Sequence, residues 1–269
     1  QGTVLSTISL SSLIISISMY TTSNWNATWL IIGIPITVIF LFLFILWEKH
    51  NKLSNPLIDL KLFDHKSFSL GSVVRFLSFI ANSPIYYLSP FLLIDGYGLS
   101  SSKTGIYILP GPLMMAISGP IAGKLSDKMG SYFPRIVGAM CLSISVSLYL
   151  FATILNKEFV MVAYAFQGLG MGIFGTANTS YIFTSVKENN YGSVNAFLTL
   201  TRTSGNIIGI SISTALVLAF VSISNNELDN VTPDTLSYIS SISKAFILPT
   251  LLSIITFILT ISLKDEKKI

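Results

Sequence analysis

Eight uninterrupted apolar runs constrain this chain more than any other feature; they lie at 4–20, 28–47, 68–94, 104–122, 136–154, 159–182, 193–222 and 244–263. A bilayer core of about 30 Å is crossed by roughly 20 helical residues, and an alternating strand pattern is absent, so the runs predict helices. Composition agrees: 51% of the residues are hydrophobic and 10% are charged, against about 25% charged in a soluble domain. Within lipid a segment must satisfy its own backbone hydrogen bonds, which a helix does. The expected fold is all-α and polytopic, with eight membrane-spanning helices. The first run lacks a positively charged leader and a small-residue cleavage site, so it reads as a span rather than a signal peptide.

The spacing of the runs divides the chain. The stretch "EKHNKLSNPLIDLKLFDHKS" mixes charges of both signs with Pro56 and separates two spans from six. The expected domains are an accessory two-helix hairpin at 1–47, a cytoplasmic linker at 48–67 and a six-helix bundle at 68–269. Lys and Arg set the orientation through their excess on the cytoplasmic side. With residue 1 inside, eleven fall in inner segments and three, Lys103, Lys157 and Lys244, in outer ones. Both ends are therefore expected in the cytoplasm, and the protein in the plasma membrane as a multi-pass span. The net charge of +4 is this asymmetry and implies no nucleic-acid partner. Cys141 stands alone, and His50 and His65 lack further ligands at metal spacing, so neither a metal nor a cofactor is expected.

Two arginines fall inside spans. Arg202 lies roughly 15 Å deep, where exposure to lipid costs about 2.5–3.5 kcal/mol, so it should face the bundle interior or a wet cavity. It reads either as an anchor to backbone carbonyls or as a gating or substrate-facing group. Arg75 is shallower, can snorkel to the inner interface, and reads as structural. Gly119 and Gly123, Gly168 and Gly172, and Gly205 and Gly209 are each four apart, the spacing that lets helices approach closely. The prolines of "PGP" at 110–112 predict a bent helix. No carboxylate falls inside a span.

The stretch "GKLSDKMGSYFPR", 123–135, concentrates charge between two apolar runs. Gly123 fits the end of one helix at a close crossing, and Gly130 fits a positive backbone angle in a tight reversal. Asp127 is placed to meet the N-terminus of the next helix, or to pair with Lys128 or Arg135. Lysines in such a loop follow from the positive-inside rule alone. A carboxylate flanked by glycines does not.

"G-K-L-S-D-K-M-G" resembles the G-x-L-[AS]-D-[RK]-x-G loop of the major facilitator superfamily, which joins the second and third helices of each six-helix half. The basic pair that follows in the family is replaced by Ser131 and Tyr132, with Arg135 displaced. "NPLIDLKLFDHKSF", 55–68, is similar to the linker before the ninth span of 14-span drug:proton antiporters, and Arg202, Gly205 and Gly209 match the R-x-x-G-x-x-x-G of their thirteenth span. The resemblance covers spans seven to fourteen and implies an N-terminal half before residue 1.

What the resemblance implies is a secondary transporter, a proton-coupled exporter of drugs or other small molecules working by alternating access. Gly123, Asp127, Lys128, Gly130 and Arg135 would form its gating loop. The bundle's first and fourth spans would line the cavity, through Phe76, Phe79, Asn82, Tyr86 and Tyr87 and through Tyr164, Gln167, Phe174 and Asn178. Aromatic faces with a few amides suit flat, lipophilic cations through stacking and cation–π contact, although aromatics at helical spacing more often pack. The coupling acid would lie in the N-terminal half. A transporter of a metabolite, sugar or peptide, and a non-transporting receptor or scaffold, remain open. An enzyme would need clustered His, Asp, Glu or Cys, which the chain lacks.

Overall fold

The computed structural model describes residues 8–9, 11–12, 15–16, 19, 28–50, 60–152, 154–184, 186–226 and 235–264. Every regular element among them is helical and none is a strand. The chain divides into two compact units, Gln1–His65 with Val186–Leu200, and Lys66–Ser185 with Thr201–Ile269.

In the first unit, α1 (Thr28–His50) covers the second apolar run. The run at 4–20 and the linker, over 51–59, fall largely outside the described residues. What is described of the hairpin packs through small polar residues. Ser9 Oγ donates to the Thr37 carbonyl at 3.1 Å, Ser12 Oγ lies 2.8 Å from Thr37 Oγ1, and Ser16 fills the space a side chain at Gly33 would need. Ile32, Val38, Ile39 and Phe42 remain exposed, as lipid-facing residues do.

Among the described residues, six helical stretches are long and apolar enough to cross a membrane: Lys66–Gly96, Ser101–Met129, Tyr132–Phe151, Phe159–Phe183, Glu188–Val221 and Thr235–Ser262. They correspond to the last six runs. Their helices are α2 (Lys66–Phe91), α3 (Ser101–Ile108), α4 (Pro110–Met129), α5 (Tyr132–Leu148), α6 (Phe159–Phe183), α7 (Tyr191–Asn226), α8 (Thr235–Ala245) and α9 (Ile247–Ser262). A π turn at Leu92–Gly96 continues α2 to Gly98, whose φ of 65° lets the Gly98 and Leu99 amides bond Ile94 and Leu93 at 3.0 Å each.

Three spans depart from the apolar runs for physical reasons. The span read at 104–122 is two helices, because Pro110 and Pro112 leave the Ile106 and Ile108 carbonyls without their usual donors. The last span starts at Thr235 rather than 244: its serines are polar in sequence yet bond their own helix, Ser241 Oγ to the Ser237 carbonyl at 2.9 Å. Pro249 then interrupts it, separating α8 from α9. Finally, α4 runs on to Met129, so Lys124, Asp127 and Lys128 lie in its last turns and only Gly130 and Ser131 connect it to α5. Hydropathy marks where lipid ends, not where the helix ends.

At the heart of the second unit α6 packs against α4 and α5. A Cβ on Gly168 would run into the Gly111 carbonyl, one on Gly172 would lie 2.9 Å from the Met115 carbonyl, and one on Gly170 would lie 2.8 Å from the Leu142 amide. Without water to drive helices together, such close van der Waals contact is what holds a membrane bundle. On the next seam, a Cβ on Gly205 of α7 would lie 2.8 Å from Phe79 Cβ of α2, and Ser83 Oγ donates to the Asn206 carbonyl at 3.1 Å. Towards the end where α6 begins, Tyr149 stacks on Phe246 at 4.4 Å and meets Phe159 edge-on at 5.3 Å.

Candidate functional site

Between α2, α4, α6 and α7 lies a cavity of about 560 Å³. Arg75, Phe79 and Tyr86 line it from α2, Met115 and Gly119 from α4, and Met171, Gly172, Gly175 and Thr176 from α6. Arg202, Thr203, Asn206, Ile207 and Ile210 line it from α7. These five occupy one helical face by their spacing, while Gly205 and Gly209 turn the adjacent face to α2 and bring its backbone close. The glycine pair thus sets how near Arg202 comes to α2.

The two intramembrane arginines meet here. Arg75 is nine residues into α2, roughly 14 Å from the helix start at 1.5 Å per residue. Its Nη1 donates to Thr179 Oγ1 at 3.1 Å, and its Cζ sits 5.2 Å from the centre of the Phe79 ring. Arg202 is exposed and lines the same cavity from α7. Neither Asp nor Glu is among the lining residues.

Of the other candidates, Phe79 and Tyr86 line this cavity and the rest do not. Phe76 is part of the α2–α7 seam, its carbonyl 3.1 Å from where a Gly205 Cβ would be. Tyr164 is buried and its hydroxyl donates to the Ile85 carbonyl at 3.2 Å. Asn178 Nδ2 donates to the Gly71 carbonyl at 3.0 Å, and Asn82 Nδ2 to the Ser78 carbonyl at 2.9 Å. Phe174 packs with Val74, Ala139 and Leu142. Gln167, fully buried beside Tyr86, has neither amide atom hydrogen-bonded among the described residues. Thr203 and Asn206 escaped the sequence reading, although lying one and four residues after Arg202, on its helical face, was a usable signal.

The charged stretch differs from its loop reading. Asp127, Lys124 and Lys128 are exposed on the last turns of α4, and among the described residues Asp127 makes no hydrogen bond or ion pair. Arg135 points inward instead: it is fully buried, stacks on Tyr181 at 3.7 Å and bonds the Leu263 carbonyl at the end of α9. A helix C-terminus offers a cation both carbonyls and a favourable dipole, which the exposed carboxylate does not match. Gly130, at φ 86°, makes the reversal. Gly123 sits inside α4, where a Cβ would meet Thr176 at an ordinary 3.7 Å.

A bundle of long apolar helices, kinked at prolines, sealed by glycines and enclosing a charged cavity, has the architecture of a polytopic membrane protein. Residues 2–210 match the Major Facilitator Superfamily, and the chain belongs to that family. It is similar to the riboflavin transporter RibZ of Clostridioides difficile (strain 630), 27% identical over 87% of this chain and 50% of the relative. The multidrug resistance protein Stp of Mycobacterium tuberculosis (strain ATCC 25618 / H37Rv) is 24% identical over 87% of this chain and 43% of its own length. The quinolone resistance protein NorB of Staphylococcus aureus (strain MRSA252) is 28% identical over 82% of this chain and 48% of its own length. The chain spans about half the length of these relatives.

Proposed function

We propose that this chain is the C-terminal portion of a small-molecule efflux transporter, driven by protons and working by alternating access. The observation that carries the reading is the cavity, walled by four helices of one bundle and charged by two arginines, in a chain of this family. Relatives named for multidrug and quinolone resistance support export of drugs. In this reading the whole protein has eight spans in the present chain, arranged as an accessory pair and a six-helix bundle, with both ends in the cytoplasm. Asp127, at the cytoplasmic end of α4, helps hold the inner face closed, and protons are taken up by an acid elsewhere in the protein.

The test is efflux by the complete reading frame in inverted membrane vesicles, with and without an imposed pH gradient. Uptake of at least one of a panel of fluorescent drugs, abolished by collapsing the gradient, is the expected result. Transport that ignores the gradient removes the proton; no transport of any panel member removes drug export. The similarity to a riboflavin transporter favours a second reading, movement of a metabolite, which radiolabelled riboflavin in the same vesicles separates from the first.

A further inference from the structure

We infer that this cavity takes an anionic group of its substrate, a carboxylate or similar oxyanion on an aromatic frame, on the guanidinium groups of Arg75 and Arg202 that line it. The inference rests on the transport reading and names the substrate class of the same cavity. Arg75 comes from α2 and Arg202 from α7, and both line one space of about 560 Å³, within the range of small-molecule sites. Two like charges in a low-dielectric bundle repel, and a shared counter-ion relieves that repulsion. The lining supplies none: it contains no Asp or Glu, and Asp95 and Asp127 sit towards the ends of their spans.

The donors are already arranged. Thr179 and the Phe79 ring hold Arg75, while its buried Nε has no hydrogen-bond partner among the described residues. A guanidinium presents a planar fork that matches a carboxylate in two parallel bonds, which a lysine could not do. Thr203 and Asn206 flank Arg202 with further polar groups, and Phe79 and Tyr86 offer faces for a flat ring. The lipophilic cation expected from aromatic composition would instead meet two positive charges, a repulsive element that selects against it.

The experiment compares two forms of one xanthene dye: rhodamine with its benzoic acid free, and the methyl ester of that acid. Binding to the purified full-length protein in nanodiscs is read by fluorescence anisotropy against empty discs. The free acid is expected to bind about tenfold tighter than the ester, the scale of one charge-assisted hydrogen bond. That ratio should fall to near one in Arg202→Gln and partly survive in Arg202→Lys, while the wild-type comparison depends on no variant folding. Equal binding of the two dyes, failure of the acid to bind, or a preference that persists in Arg202→Gln and Arg75→Gln alike overturns the inference. An acid contributed from elsewhere in the protein to neutralise the pair would produce equal binding. Because binding is read without transport, an arginine-dependent acid preference in a protein that exports nothing would sink the efflux reading and leave this one standing; efflux of both dyes without preference does the reverse.

Discussion

From Gly111 to the Gly119 amide, α4 is pressed against Gly168 and Gly172 of α6, whereas a Cβ on Gly119 or Gly123 itself would find the nearest atoms of Thr176 at 3.9 and 3.7 Å. Both glycine pairs are four residues apart, and both read in sequence as helix-packing signals. One closes a seam to backbone contact; the other leaves ordinary space, and Gly119 and Gly172 both border the cavity. Small residues permit close approach, but the opposing surface decides whether it happens. In this bundle the tight seam is uncharged and the cavity carries two arginines.

The sharpest way to break that comparison is Gly168→Val. Its Cβ would clash with the Gly111 carbonyl oxygen, which belongs to backbone and cannot swing aside. Overpacking on this scale costs about 3 kcal/mol or more, and the full-length protein is expected to lose its monodisperse peak on size-exclusion chromatography. A variant with wild-type profile and thermal stability would show that the seam is looser than described.

Next in size is Arg75→Ala. This side chain is bonded to Thr179 and packed on Phe79, so its removal should cost about 1.5–3 kcal/mol of stability. Arg202→Ala, at an exposed cavity wall, should change stability by less than about 0.5 kcal/mol while lowering transport. Thermal melting in detergent separates the two. Equal losses would mean that the arginines do one job rather than a holding and a contacting one.

Asp127→Asn follows at the far end of α4. A negative charge in the last turn opposes the helix dipole, by about 0.3–1 kcal/mol, so its removal costs the helix nothing. Slower efflux, about fivefold by conversion of roughly 1 kcal/mol, with unchanged membrane expression would therefore report gating rather than folding. Wild-type efflux would remove the gating role.

The last six spans were legible because hydropathy follows lipid directly, and Arg202 was legible because a charge inside an apolar run needs an interior reason. Helix ends were less so. Residues such as Lys124 and Asp127 end the apolar run without ending the helix, and serines such as Ser241 hide a helix behind polar side chains that bond their own backbone. Which aromatic or amide faces the cavity was not legible either. Tyr86 lines it, whereas Tyr164, on the opposing helix, is committed to the Ile85 carbonyl, a distinction set by how α2 and α6 rotate against each other. Nor could spacing show that Arg75 and Arg202 line one cavity, since that follows from the α2–α7 crossing that Gly205 and Gly209 permit.

Gly119→Ala should have the smallest effect and sharpens the comparison from the other side. The new methyl would sit 3.9 Å from Thr176 Oγ1, ordinary contact distance, so nothing has to move. Alanine also suits a helix interior better than glycine by up to about 1 kcal/mol, which offsets any small loss of fit. The variant is expected to express and melt like the wild type, or slightly above it, with ligand affinity changed by less than about twofold because one methyl takes little of the cavity. Thermal melting beside Gly172→Ala is the control, since that Cβ would lie 2.9 Å from the Met115 carbonyl and 3.0 Å from the Gly119 amide. If the two alanines destabilise equally, the side of Gly119 that faces Thr176 is as closed as the side that faces Gly172, and the cavity wall is misplaced.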